Sequence, residues 1–145
     1  MANSTYSFLD LTGSINHPLT GAYVFTGKGT GSVTVSKATE RTAHNVAADG
    51  SVMVSKIAGN NGSITIECQQ TSPLHKWLQK WSQILWMAPV SEWATTTILL
   101  RNASTGGSHL CTGVSPQKEA DTPYQAQGST VTWTLMCADI VNSPY

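Results

Sequence analysis

Hydrophobic and polar residues alternate along most of the chain with the period of two that is typical of β-strands, and one stretch breaks this pattern. In residues 71–89 the apolar positions recur every three or four residues, which predicts a helix over about residues 73–88. Ser72 is suited to cap its first turn, Pro73 to begin it and Pro89 to end it. The apolar stripe predicts that five side chains pack the helix onto a sheet: Leu74, Trp77, Leu78, Trp81 and Leu85. His75 falls on the opposite, polar side.

Period-two alternation on both sides of this helix predicts strands. They cover residues 5–11, 22–26, 32–37, 51–57, 63–70, 95–102, 110–114 and 129–137. Asn16, His17 and Pro18 are expected to form a turn, and residues 115–127 a polar surface loop. The sum is a mainly β fold, a two-sheet β-sandwich or partly open barrel with one flanking α-helix, in a single domain over residues 1–145.

The polar stretch 38–50 has little periodicity and is either a long loop or the projecting end of a hairpin. Long loops in compact domains are often functional, so residues 39–60 are the main candidate for a contact arm. Asn60, Asn61 and Gly62 have the composition of a tight hairpin turn, which would pair strand 51–57 with strand 63–70.

The composition is poor in charge. Of the 145 residues 11% are charged, the formal net charge is zero, and typical soluble domains carry about 25% charged residues. Such a surface resists association weakly, which predicts that copies of the chain or other partners cover much of it. The alternative is a small secreted β domain with a Thr-rich surface. Eight lysines and arginines in total exclude a strong electrostatic grip on nucleic acid.

The three cysteines, Cys68, Cys111 and Cys137, stand in apolar strand positions. Their odd number favours buried free thiols in a reducing compartment over a disulfide. The first ten residues lack a basic segment followed by an apolar run, so we expect no secretory signal. We also expect no membrane binding, because no apolar stretch has the length of a membrane span.

No catalytic motif is present, and we expect no catalytic residue, metal or cofactor. The four histidines stand apart from nucleophiles, and His109 with Cys111 and Cys137 lacks the spacing of a metal site. The run 27–31 (GKGTG) does not match a phosphate-binding loop, so we predict a turn. Trp86 and Trp93 are either sugar platforms or packed against a neighbour.

Two strand faces are polar and contain no lysine or arginine. They carry Ser63, Thr65, Glu67 and Gln69 on one strand and Thr130, Thr132 and Thr134 on another. These faces either meet solvent or line a channel for DNA, where an inward lysine repeated around a ring would grip phosphate.

Three stretches carry a family resemblance: YSFLDLTGSI at 6–15, VAADGSVMVSKIAGNNGSITIECQQTSPLHKWL at 46–78 and GSTVTWTLMCADI at 128–140. With them the chain resembles the tail tube proteins of bacteriophages with contractile tails. The resemblance implies hexameric rings that stack helically into a hollow tube in the virion tail, assembled in the host cytoplasm. It also implies contacts with the tail sheath, baseplate and tail terminator proteins, and transient, non-specific passage of DNA.

The resemblance further implies roles for residues. The region around 39–60 would reach the next ring, through Thr39, Glu40, Arg41, His44, Asp49, Ser51, Met53 and Lys56. The polar faces would line the lumen. The helix would cover the outer sheet.

Two other functions stay open. The tube of a contractile injection or secretion device would have the same fold, and genomic neighbours such as capsid and terminase genes would separate it from a phage tail. A monomeric carbohydrate-binding β-sandwich would use exposed tryptophans. An enzyme ranks behind both.

Overall fold

The computed structural model describes residues 3–27 and 29–143, which contain nine strands and one α-helix. The strands are β1 (Leu11–His17), β2 (Gly21–Thr26), β3 (Thr30–Lys37), β4 (Thr42–Val46), β5 (Val52–Lys56), β6 (Gly62–Gln69), β7 (Thr96–Asn102), β8 (Ser108–Lys118) and β9 (Thr130–Ser143). The helix α1 (Pro73–Met87) connects β6 to β7, and short 3-10 turns lie at Phe8–Asp10 and Val90–Glu92.

Seven strands form one antiparallel sheet in the order β2-β1-β7-β8-β9-β6-β3, and β4 with β5 forms a second, two-stranded sheet. The large sheet curls, because side chains from β2 at one edge and β3 at the other pack into the same core. The predicted mainly β fold with one flanking helix is confirmed, and the two sheets are very unequal in size.

The helix fills the hollow of the curled sheet. Ser72 caps it by accepting a hydrogen bond from the His75 amide at 3.3 Å. Leu74, Leu78, Trp81 and Leu85 are buried, and the Trp81 indole donates to Thr96 Oγ1 at 3.0 Å. Complete burial of each large apolar side chain stabilises the fold by about 2 to 3 kcal/mol. Trp77 is half-buried and stacks on Tyr23 with ring centroids 5.6 Å apart.

The large sheet turns a corner at Gly113. This residue has φ +63°, and a Cβ there would lie 2.6 Å from Cβ of Ala138 on β9. Only glycine fits that conformation and that close approach. Across the corner the buried positions change register, from Cys137 on one side to Ile140 on the other. On β9 the exposed positions therefore shift from Thr132 and Met136 before the corner to Val141 after it.

The expected position of His75 on the polar side of the helix is wrong. His75 is buried, and its Nδ1 accepts a hydrogen bond from the Trp133 indole at 3.0 Å. This partner satisfies the ring in the core. Burial disfavours the imidazolium form and holds the pKa of His75 below its ordinary value.

The predicted first strand, residues 5–11, is also wrong. The Ser7 hydroxyl accepts from the Leu9 amide at 3.3 Å and starts a 3-10 turn instead. Strand β1 begins at Leu11 and continues to His17, which was expected in a turn. His17 is buried, and both nitrogens of its ring have partners. Its Nδ1 accepts from the Leu19 amide and its Nε2 bonds the Glu92 carbonyl, each at 3.0 Å.

The predicted pairing of strand 51–57 with strand 63–70 is wrong as well. Strand β5 pairs with β4, and β6 lies between β3 and β9. The polar segment before β5 forms a strand of its own, so the nearest partner in sequence is β4. Asn60 and Asn61 lie at the base of the hairpin rather than at its turn.

Strands β8 and β9 are longer than predicted. Residues 115–118, expected in a surface loop, belong to β8, and Pro116 pairs with Leu135. Proline is tolerated there because β7 begins at Thr96, opposite Val114. On that side of Pro116 the described chain has no strand that would need a hydrogen bond from a backbone amide. All three cysteines are buried free thiols, as predicted.

Candidate functional site: a polar sheet face and a projecting hairpin

Strands β3, β6 and β9 place their polar side chains in one continuous surface. Cross-strand registers align Thr34, Thr65 and Thr134 in one row, and Ser32, Glu67 and Thr132 in the next. The rows on either side add further small polar groups: Ser36 with Ser63, and Gln69 with Thr130. We call these ten residues the polar face.

The polar face carries one charge, the carboxylate of Glu67, and no lysine or arginine. Lys37, at the end of β3, points to the other side, where its ammonium donates to the Ile140 carbonyl. Small hydroxyl groups dominate this surface, which therefore has little to attract a polyanion.

One cation lies at the margin of the polar face. Lys118 on β8 pairs in register with Thr134, and sequence analysis had placed it in a loop. Its ammonium lies 3.4 Å from the carboxylate of Asp121, and both side chains are highly exposed. The acid offsets the local positive charge of Lys118.

Strands β4 and β5 form a hairpin that does not pack extensively on any other strand or helix of the described chain, and all ten of their residues are exposed. The register pairs Thr42 with Lys56, His44 with Val54 and Val46 with Val52 on one side. Ala43, Asn45, Met53 and Ser55 occupy the other side. One side is therefore rich in valine, and we call Val46, Val52 and Val54 the valine face.

Polar contacts hold the hairpin at its tip and its base. At the tip, the Ser51 hydroxyl and amide donate to Asp49 Oδ1 at 2.6 and 3.0 Å, which lowers the pKa of Asp49. At the base, the Arg41 guanidinium donates to the Gly59 carbonyl at 3.2 Å and to Asn60 Oδ1 at 2.6 Å. These contacts fix the geometry of the hairpin but leave its two faces uncovered.

The comparison with protein families gives a match over almost the whole chain. The family described as Bacteriophage PhiTE tail tube protein matches residues 3–143. The chain belongs to this tail tube family. It is therefore a structural tail tube protein of a phage or a contractile injection system, and a phage protein of this family is a component of the virion.

No curated protein matches the chain. Solved structures similar to this tail tube protein come from contractile injection systems. The tube-terminating cap of the anti-feeding prophage has a TM-score of 0.63 at 9% identity and covers 100% of this chain and 95% of its own. A chain of the PVC sheath-tube complex in the extended state has a TM-score of 0.61 at 12% identity, with 97% and 93% covered.

A third similar structure is a chain of the anti-feeding prophage baseplate. Its TM-score is 0.63 at 14% identity, and 99% of this chain and 97% of that chain are covered. At identities this low the similarity shows the fold alone.

The fold of the tail tube protein gathers the candidate residues into two groups. Those predicted to line a lumen share the polar face, and those predicted to contact a next ring all lie on the hairpin or at its base. Sequence analysis missed the valine face, although the alternation of Val52 and Val54 in SVMVSKI contains it.

A row of exposed apolar residues beyond the corner at Gly113 was also missed. Register aligns Val24, Ser14, Leu99, Leu110 and Val141 across five strands of the tail tube protein. The four apolar members are all exposed. The alternating pattern of residues 95–102 contained the signal, because Ile98 and Leu100 are buried while Leu99 faces outward.

Trp86 and Trp93 pack edge to face with ring centroids 6.5 Å apart. Among the described residues no cluster of histidine, cysteine and acidic side chains has the geometry of a metal site. Within the same residues, α1 is too short and too polar to cross a membrane.

Proposed function

We propose that this protein assembles into hexameric rings that stack into the hollow inner tube of a contractile tail, through which DNA is delivered. The observation that carries the proposal is the polar face, a surface of three adjacent strands with ten small or polar side chains and a single charge. The family match supports the tube.

The chemistry of the polar face suits the lining of a bore. In a ring every side chain is repeated around the axis, so one lysine per subunit would become a collar of cations that binds phosphate. Glu67, repeated in the same way, repels the DNA backbone. The hydroxyl groups of Thr34, Thr65 and Thr134 keep the wall hydrated and offer the DNA phosphates no cationic group to bind.

The edges of the large sheet suit ring closure. Strands β2 and β3 are its two edge strands, and each pairs with a strand on one side only among the described residues. Exposed edges of this kind are templates for association. Edge-to-edge contact between neighbouring subunits around a closed ring protects them, and a head-to-tail contact of this type closes when the rotation fits.

The same assembly defines the partners. Chains of similar fold occur in a sheath-tube complex, a tube cap and a baseplate, which supports contacts with sheath, terminator and baseplate proteins here. Stacking uses the hairpin, with the predicted residues Thr39 to Lys56 directed to the next ring. Assembly takes place in the host cytoplasm, and DNA passes only transiently.

Electron microscopy of the purified protein over a concentration series, together with sedimentation, tests the assembly. Annular particles or hollow tubes are the expected result. A monodisperse monomer at every concentration, including in the presence of preformed tube ends, would overturn the proposal.

Lysine substitutions test the bore. In a phage that carries this gene, Thr65→Lys and Thr132→Lys should slow DNA ejection while tubes of normal length still form. Thr12→Lys, on the exposed side of β1 beyond the corner, is the matched control and should leave ejection unchanged. Normal ejection with lysines at both polar-face positions would refute the bore assignment.

A second candidate is the tube of a contractile injection device, which the similar structures favour. Capsid and terminase genes beside this gene would decide for the phage tail, and their absence beside sheath and baseplate genes would decide for the injection device.

A further inference from the structure

The hairpin formed by β4 and β5 is incomplete on its own. Its ten strand residues are exposed, including the three valines of the valine face. An isolated two-stranded hairpin is marginally stable in water, and it gains stability when an apolar face is covered. The described part of the same chain offers no cover, since β4 and β5 contact mainly each other.

The hairpin continues the β3–β6 pair at one end. Lys37 pairs with Gly62 at the last rung, and the Ala38 amide then donates to the Asn61 carbonyl at 3.0 Å. The Ile57 amide donates to the Arg41 carbonyl at 2.9 Å at the start of the hairpin. The five-residue strands of the hairpin add about 17 Å in length beyond this base.

The opposite end of the same β3–β6 pair carries an open groove of about 460 Å³. Here Thr30 pairs with Cys68, and the Gln69 amide donates to the Gly29 carbonyl at 3.0 Å. The end of β2 and the start of α1 complete the walls. Residues that line the groove include Tyr23, Phe25, Gly29, Gln69, Thr71 and Pro73.

The hairpin and the groove therefore lie at opposite ends of one strand pair. When copies stack along the direction of β3 and β6, the hairpin of one copy meets the groove of the next. Such a contact joins two different surfaces, so it repeats without limit and builds a filament.

Charge and size at the two surfaces also match. The tip of the hairpin consists of small residues, Ala47, Ala48 and Gly50, with the carboxylate of Asp49. The groove contains the start of α1, whose first turn has no acidic residue. A carboxylate from another copy complements the partial positive charge of that helix end.

We propose that the groove between the end of β2, the start of β3 and the start of α1 is the receptor for the β4–β5 hairpin of a second copy in the adjacent ring. This inference rests on the proposed function and adds the surface that receives the hairpin. It identifies Tyr23, Thr71 and Pro73 as contact residues, none of which sequence analysis selected for assembly.

Disulfide trapping tests the contact. Ala48→Cys places a thiol at the hairpin tip and Thr71→Cys places one in the groove; both positions are exposed, and the three native thiols are buried. Within one subunit the eight-residue strand β3 alone separates the two sites by more than about 25 Å, whereas a disulfide requires Cα atoms closer than about 7 Å. Any bond between them therefore links two copies.

Assembled protein with both substitutions, oxidised with copper phenanthroline, should give a series of dimers, trimers and longer covalent chains on a non-reducing gel. Each single variant should stay monomeric on the gel, and a mixture of the two should give dimers only. The double variant Ala48→Cys with Leu110→Cys is the matched control, because Leu110 is exposed in the row of apolar residues beyond the corner.

The outcomes separate the two proposals. Tubes by electron microscopy without covalent chains from Ala48→Cys/Thr71→Cys would overturn the groove while leaving the tube in place. Covalent chains from the Ala48→Cys/Leu110→Cys control alone would also overturn the groove. They would show that the hairpin contacts the row of exposed apolar residues that includes Leu110. Failure of the unmodified protein to assemble would overturn the tube, and the groove with it.

Discussion

The helix–sheet core and the β4–β5 hairpin are built by opposite rules. In the core, Trp81, Trp133 and Leu135 are fully buried, and the polar groups that enter with them have partners. In the hairpin every residue is exposed, and polar contacts at the two ends maintain its shape. The core therefore buries its apolar side chains within one chain, whereas the hairpin leaves its valine face exposed.

This difference separates the side chains that stabilise the folded subunit from those that stay available for association. Apolar side chains in the core stabilise the subunit, since their burial occurs on folding. The valine face is exposed in the subunit, so on the proposed assembly its apolar area contributes to association and not to folding. On that proposal valine stabilises the subunit at position 131 and the assembly at positions 52 and 54.

The largest effect on the subunit is expected from a tryptophan in the core. Trp81→Ala should lower the free energy of unfolding by about 3 to 5 kcal/mol, because it leaves a cavity and removes the partner of Thr96. Met87→Ala, on the same helix at a site 85% exposed, is the control and should cost below about 0.5 kcal/mol. Denaturant unfolding of dilute, unassembled protein measures both. Equal losses of unfolding free energy in the two variants would show that a buried site in the core contributes no more than an exposed one.

A smaller effect is expected where the core meets the hairpin base. A Cβ at Gly62 would lie 2.1 Å from the Ser36 carbonyl oxygen and 2.7 Å from Ile140 Cδ1. Gly62→Ala should therefore lower the free energy of unfolding by about 1 to 3 kcal/mol through overpacking.

Gly128→Ala serves as the control for Gly62→Ala. A Cβ at Gly128 meets nothing within 4 Å, so this variant should unfold like the unmodified protein. Unchanged stability of Gly62→Ala would show that the hairpin base accommodates a Cβ as readily as the exposed loop at Gly128.

Between pH 6.5 and 5, acid should weaken the core through His75. The pKa of His75 in the folded protein is lowered from its ordinary value of 6.5 by burial, so the unfolded chain binds the proton more tightly. The stabilisation is complete above pH 6.5 and is lost as the pH falls below 6.5 toward the folded pKa. Protonation also removes the acceptor for the Trp133 indole.

His75→Gln keeps an acceptor for Trp133 but does not titrate. Its free energy of unfolding should therefore depend less on pH between 6.5 and 5 than that of the unmodified protein. Denaturant titrations across this range measure the two slopes. Parallel slopes would show that another group controls the acid response.

The smallest effect on the subunit, and a large effect on assembly, is expected at the valine face. Val52→Thr with Val54→Thr preserves shape and strand preference, so the free energy of unfolding should change by less than about 0.5 kcal/mol. Tube formation should weaken, because the apolar contact is lost. Asn45→Thr, on the other side of the hairpin, is the control for orientation and should leave tube formation unchanged. A loss above 1 kcal/mol in the subunit would place the hairpin within the folding unit.

Much of the fold was predictable because local patterns controlled it. The helix could be predicted from the spacing of Leu74, Leu78 and Leu85 and from the Ser72-Pro73 start, which act within one or two turns. Strand β9 could be predicted from Val131, Trp133 and Leu135, since burial on one side produces strict alternation. Partner choice could not be predicted, because β6 pairs with β3 across 24 intervening residues that include the β4–β5 hairpin, and with β9 across the whole of α1, β7 and β8.

The candidate surfaces were predictable residue by residue but not as surfaces. Thr65 and Thr132 alternate outward in the sequence, yet their union in one face depends on the antiparallel register of β6 and β9. The groove was not predictable at all, because Tyr23, Gly29 and Thr71 come from three segments that meet only at one end of the curled sheet.

The sequence by itself determined the elements of this protein: alternating strands, one amphipathic helix, a charge-poor surface, and the word-level resemblance to tail tube proteins. These follow from interactions between near neighbours and from composition. Tertiary structure alone decided that β4 pairs with β5, that His75 enters the core, and that the hairpin and the groove lie at opposite ends of the β3–β6 pair. Such features depend on which distant segments share a register and a core, and no local pattern encodes that choice.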